Sequence, residues 1–186
     1  MKFETTVNSG DFKDAMENVK LALRKQPYRQ EMQLIKMVFD KNRIELWSLD
    51  GHRIHTQVLA GSGCSQERIE LLTDYVKIPK SAILNIEIDM DEKTITYDAI
   101  SQKITSRFAD AEIFPKNLEK FKEEHQTNFK IGVDPKFLID ALQKYKKDPC
   151  VILDFNTSLS AFIVRKAGQQ EDYNLILPVK LPESER

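Results

Sequence analysis

His52 and His55, three residues apart with Asp50 just ahead of them, are the first residues that could do chemistry, as a metal pair or an acid–base couple. Alternate residues of a strand share a face, so positions three apart point to opposite faces, which argues against a shared metal. The third histidine, His125, lies in a charged stretch and reads as solvated, as do the acidic pairs Asp89/Asp91 and Glu123/Glu124. Cys64 and Cys150 are the only cysteines. They lack CxxC spacing and are too few for a disulfide framework or a four-cysteine zinc site. Cys150 opens an apolar strand and is expected in the core. No GxSxG, HExxH, P-loop or GxGxxG string occurs, and six glycines leave little material for a phosphate cradle. The residues point to a protein that is not an enzyme and needs no metal or cofactor.

The cations form two groups. Lys13, Lys20, Arg24 and Lys25 fall on the polar side of a first helix, and Lys136, Lys144, Lys146 and Lys147 on or just after a later one. They are either ordinary solvated faces, with the last two suited to a helix C-terminus, or two helices offering cations to a phosphate backbone without sequence preference. No aromatics interleave them, so stacking on single strands is not indicated. Lys+Arg number 28 and Asp+Glu 29, for a net charge of -1. A basic field over the whole protein is therefore absent.

The elements that must carry these residues repeat. Phe3–Val7 reads as a strand, ended by Asn8-Ser9-Gly10, and Asp11–Lys25 as a helix with the apolar stripe Phe12, Ala15, Met16, Val19 and Leu23, stopped by Pro27. Strands follow at Met32–Phe39, Arg43–Leu49 and His52–Leu59. After the flexible joint Gly61-Ser62-Gly63, the order returns: a strand within Arg68–Ile78, a short helix over Pro79–Leu84, then strands at Ile86–Met90, Thr94–Tyr97 and Lys103–Phe108. Lys116–Asn128 is a charged linker. A third pass begins with a strand at Phe129–Val133 and a helix capped by Asp134-Pro135, with Phe137, Leu138, Ala141, Leu142 and Tyr145 as its apolar face. It ends with strands at Cys150–Phe155, Ser160–Arg165 and Tyr173–Leu177. Three units of about 55–60 residues, each strand–helix–three strands, form an internal repeat. Helices over mostly antiparallel strands give an α+β layered fold.

With 186 residues, 41% hydrophobic and 31% charged, the chain has an ordinary soluble composition and is neither collagen-like nor disordered. No apolar run approaches the roughly 20 residues that span a bilayer, and the opening MKFETTV has no signal-peptide character. A reduced, cytoplasmic protein without membrane contact is expected.

The string Leu49-Asp50-Gly51-His52-Arg53-Ile54 resembles the DGHRL segment in the middle domain of bacterial DNA polymerase III beta subunits, the sliding clamps. Val76-Lys77-Ile78-Pro79-Lys80, then Ser106-Arg107-Phe108 and Phe114-Pro115, is similar to the later course of that domain, and Leu175–Leu181 (LILPVKL) to the clamp's C-terminal tail. The resemblance runs in order over nearly the whole chain. It implies the DNA-clamp fold, with residues 1–116 as a complete clamp-like domain of two repeat units, 117–128 as the linker and 129–186 as half a domain. The first clamp domain and the first half of the third have no counterpart here.

The resemblance also implies a replication accessory protein that binds polymerase or clamp-loader peptides. The clamp peptide pocket maps onto Leu49, Gly51, His52, Arg53, Ile54, Pro115, Leu177, Pro178, Val179, Lys180 and Leu181. A plain terminal core strand remains the other reading of 175–181. Duplex DNA would meet Lys13, Lys20, Arg24, Lys25, Lys136, Lys144 and Lys147, without sequence preference. Family rings hold twelve such units, so a ring of this three-unit chain would need four copies. A lone third unit would expose a strand edge that a second copy could cover, so a homo-oligomer, dimer or tetramer, is expected. The alternative is a monomeric adaptor or decoy that keeps the peptide pocket and never encircles DNA.

Overall fold

The computed structural model describes residues 1–23, 29–50, 52–63, 68–79, 81–115 and 129–182. The chain divides into two compact units, Met1–Lys120 and Phe121–Arg186. The expected linker, 116–128, lies outside the described residues.

In the first unit, eight antiparallel strands form one curled sheet. They are β1 (Lys2–Asn8), β2 (Ile35–Asp40), β3 (Arg43–Leu49), β4 (Ile54–Ala60), β5 (Ile69–Thr73), β6 (Ile83–Asp89), β7 (Thr94–Ala99) and β8 (Gln102–Asp110), in the spatial order β1-β6-β7-β8-β5-β2-β3-β4. The first strand of each repeat crosses to the other repeat. β1 pairs with β6, and β5 pairs with β2 as well as with β8. Helix α1 (Ser9–Lys20) covers this sheet. Asn8 caps it, its side chain accepting from the Asp11 N–H at 3.0 Å, and Phe12, Ala15, Met16 and Val19 are buried on the spacing the sequence sets. The core gathers these with Met37, Leu46, Leu71, Ile86 and Tyr97. Burial pushes the Tyr97 phenol far above its ordinary pKa, and its hydroxyl rests on the Met37 sulfur at 3.7 Å.

The helix α1 ends at Lys20, short of the expected Lys25. Its last carbonyls are taken by side chains of the neighbouring strands: Ser48 donates to Val19 O, Arg53 donates to Leu21 O at 2.6 Å, and a ring nitrogen of His55 meets Asn18 O at 2.9 Å. The backbone N–H groups of Leu21, Ala22 and Leu23 also close on Asn18, Val19 and Lys20 O, so the helix ends in tighter three-residue turns. The short helix expected over Pro79–Leu84 does not form. Ile83 starts β6 opposite Asn8, and Ser9 at the head of α1 bonds back to this stretch, Oγ to Pro79 O at 3.1 Å and N–H to Ala82 O at 3.3 Å. Pro79 and Ala82 are thus fastened to the start of α1. The strand expected toward Ile78 stops at Thr73. The joint at Gly61–Gly63 is pinned, Thr6 and Ser62 exchanging both backbone bonds at 2.9 Å.

In the second unit, α2 (Pro135–Gln143) carries the N-cap Asp134, which accepts from the Lys136 N–H at 2.8 Å. A three-stranded antiparallel sheet follows, β9 (Val151–Asp154), β10 (Phe162–Lys166) and β11 (Tyr173–Ile176), with β10 in the middle. Ala141, Tyr145, Phe162, Val164 and Ile176 form its core. Residues 129–133 do not form the expected regular strand. Their one ladder contact is an isolated bridge, Gly132 to Val179, because no second strand lies along them among the described residues. Cys150, expected in the core, is exposed, since β9 begins one residue later at the margin of the unit.

Candidate functional site

The turn from β3 to β4 carries the first group of expected binding residues. Asp50 organises it: one carboxylate oxygen accepts from the His52 and Arg53 N–H groups at 3.0 and 3.1 Å, and the other accepts from Arg53 Nε at 3.0 Å. The backbone N–H of His52, with Arg53 beside it, holds the Asp50 carboxyl below its ordinary pKa. Arg53 spans from this carboxylate to the Leu21 carbonyl and so ties the turn to the end of α1. Gly51 lies outside the described residues. His52 and Ile54 are exposed.

Leu49 is buried beneath the turn with Met32, Trp47, Leu72 and Phe114, and Pro115 follows Phe114 half-buried. The structure therefore brings Leu49, Ile54 and the Phe114-Pro115 corner to one neighbourhood, with Leu49 paired across the ladder to Ile54. Leu49 supports this surface from below, and Ile54 is the apolar group that reaches it. The histidines hold no common site: His55 is spent on α1, and among the described residues no cluster of His, Cys, Asp or Glu could hold a metal.

The second group is the tail after β11. It leaves the sheet at Ile176, so 177–181 is not a core strand. The Val179 N–H donates to Gly132 O at 2.9 Å and anchors the tail. Gly132 is the residue that sequence reasoning missed: a Cβ there would stand 2.5 Å from the Val179 carbonyl oxygen and 3.1 Å from Leu181. The close approach needs glycine, a signal the isolated G in FKIGVDP carries only faintly. Leu177 is 69% exposed and Val179 46%, while Pro178 and Leu181 are half-buried and Lys180 is exposed. Leu177 also lines a groove of about 440 Å³ between α2 and β11, walled by Phe137, Ala141 and Leu175 and carrying Asp140 and Asn174 as polar groups. An apolar groove with few polar groups suits a short peptide's side chains.

The expected DNA-contacting cations are placed unevenly. Arg24 and Lys25 lie outside the described residues. Lys13 is half-buried, and Lys136 and Lys147 are exposed. Lys20 lies over the Tyr75 ring at 4.1 Å and 3.6 Å from Glu17. Tyr75 and Glu17 raise its pKa, and the Tyr75 hydroxyl, donating to Glu17, lowers that of the carboxyl. Lys144 pairs with Asp172 and has its pKa raised by it. Lys20 and Lys144 therefore already have counter-charges.

No family model matches the sequence, and no curated protein matches it significantly. Solved structures do. A Pseudomonas aeruginosa DNA polymerase III beta-subunit sliding clamp bound to griselimycin aligns with a TM-score of 0.72 at 14% identity, over 96% of this chain and 50% of that one. An Eubacterium rectale protein assigned as a DNA polymerase III beta subunit gives 0.74 at 14%, over 94% and 50%. The Helicobacter pylori beta clamp in complex with 5-chloroisatin gives 0.65 at 17%, over 95% and 49%. The fold is that of the sliding clamps, and the chain spans about half the length of these structures.

Proposed function

We propose that this protein is a clamp-like replication accessory factor, a binding protein that captures short peptides of replication polymerases or clamp loaders. The observation that carries the reading is the tail Leu177–Leu181. Its backbone is fixed at Gly132 while Leu177 and Val179 stay at the surface, an arrangement suited to an edge that receives a peptide. The Asp50–Arg53 turn is ordered in a different way, by its own carboxylate, and offers Ile54 and His52. In this reading each unit offers peptide contacts of its own: Leu49, Gly51, His52, Arg53, Ile54 and Pro115 on the first, and Leu177, Pro178, Val179, Lys180 and Leu181 on the second, with aliphatic groups as anchors and Arg53 and Lys180 as polar groups beside them. Calorimetric titration of such a peptide into the full chain tests it: saturable binding is expected, and no heat of binding at any concentration contradicts it.

DNA contact is the second activity of the reading. Lys13, Lys20, Arg24, Lys25, Lys136, Lys144 and Lys147 would touch phosphates without sequence preference. A specific observation favours the adaptor form, which binds peptides and does not encircle DNA: Lys20 and Lys144 already pair with Glu17 and Asp172. Salt-dependent DNA binding separates the two forms.

A further inference from the structure

We propose that the third repeat completes its sheet by reciprocal strand exchange with a second copy of this chain. This goes beyond the peptide reading and does not depend on it.

The first unit shows how two repeats close on each other. The first strand of each lies along the second strand of the other: Thr5 of β1 opposite Ile86 of β6, and Leu71 of β5 opposite Met37 of β2. The two pairings are images of one another. So are the contacts that return each first strand to the end of its own repeat, Thr6 with Ser62 and Leu72 with Ala109.

The third repeat reproduces the scaffold of the first. Asp134 caps α2 as Asn8 caps α1, and Gly132 bridges to Val179 as Thr6 does to Ser62. Counted back through the β11–β10 and β10–β9 ladders, Leu153 and Phe155 stand where Met37 and Phe39 stand in the first repeat. Burial is what differs. Met37 and Phe39 are 0% and 2% exposed, whereas Leu153 and Phe155 are 40% and 42% exposed. Phe155 rests on the Phe162 ring at 4.8 Å and edge-on to its own chain's Phe129 at 5.9 Å, a contact that the exchange would replace with the partner's copy. Among the described residues, β9 takes no strand on its outer edge and 129–133 takes none beyond its single bridge. In the first unit the sister repeat fills both of these edges.

A second copy related by a two-fold axis supplies both missing pieces at once. Its 129–133 segment lies on β9, and its β9 receives 129–133 in return. Such an isologous contact closes on itself and removes two open strand edges per chain. Carried over from the first unit, the register sets Ile131 opposite the partner's Leu153 and Phe129 opposite the partner's Phe155. The internal pseudo-symmetry of the first unit thereby becomes the exact symmetry of a dimer.

Two measurements on the full chain test this. The first is the sedimenting mass of the unaltered protein across micromolar concentrations. The second is mild oxidation of Ile131→Cys/Leu153→Cys in a Cys64→Ser/Cys150→Ser background, with Leu175→Cys on the outer edge of β11 as the comparison. A mass of twice 21.6 kDa is expected, together with a covalent dimer from the double-cysteine variant and none from Leu175→Cys. A monomer mass throughout, an intrachain disulfide, or a dimer that cross-links through Leu175→Cys and not through the other pair would overturn the proposal.

Discussion

Val179 sits against Gly132: its N–H donates to the Gly132 carbonyl at 2.9 Å, and a Cβ on Gly132 would come within 2.5 Å of the Val179 carbonyl oxygen. Backbone, not a flexible side chain, occupies that space, so Gly132→Ala must push the tail away. Overpacking of this kind costs about 1–3 kcal/mol. Urea denaturation of the variant is expected to show a lower midpoint, and peptide affinity is expected to fall with it, because the displaced tail carries the proposed anchors. An unchanged midpoint would mean that the tail is not held there.

Much of this arrangement was legible in the sequence because it rests on local rules. The caps Asn8 and Asp134, the apolar stripe of α1 and the alternating strands of each repeat follow from side-chain chemistry a few residues apart. What was not legible depended on distant partners. At the end of α1, Ser48, Arg53 and His55 reach its carbonyls across the fold. Pro79 and Ala82 are held by Ser9. Phe129–Val133 has strand composition without, among the described residues, a strand to pair with, and a ladder needs two. At the candidate site, the DGHRI string marked the turn, but the sequence could not show that Leu49 lies beneath it or that Gly132 fixes the tail.

Arg53 joins the turn to the end of α1. Arg53→Ala removes its bonds to Asp50 and to the Leu21 carbonyl, and since the side chain is 55% exposed, the expected loss is about 1 kcal/mol. Arg53→Lys cannot hold both acceptors with one ammonium and should recover only part of it. Thermal unfolding of the three proteins checks the order: parent, then lysine, then alanine. Equal midpoints would refute the link.

The turn should also respond to acid. Asp50 ionises more readily folded than unfolded, so its charged form favours the ordered turn. That contribution is complete above the ordinary Asp value of 3.8 and disappears as pH falls through the lower folded value. Proton–deuterium exchange at the His52 and Arg53 amides is expected to lose protection in that acidic window, after correction for intrinsic rates, and Asp50→Asn to remove the pH dependence. Protection that persists unchanged below the window would contradict this.

For DNA, affinity is expected to fall with salt at a log–log slope of about −0.9 per phosphate neutralised. Lys144→Ala should lower that slope, and Asp172→Asn, which frees Lys144, should raise affinity at low salt. Fluorescence anisotropy with a labelled duplex reads both. Absence of binding at low salt would remove the DNA arm and leave the adaptor form.

The central claim is peptide capture, with the Asp50–Ile54 turn of the first unit and the C-terminal tail of the second as the two candidate surfaces. Calorimetric titration of a short peptide with aliphatic and aromatic anchors, into the full chain and into Arg53→Ala/Pro178→Ala, tests it most directly. The account expects saturable binding, weakened in the double variant by about 1–3 kcal/mol, or roughly 5- to 160-fold. No binding to the parent chain, or equal binding to both proteins, would contradict it.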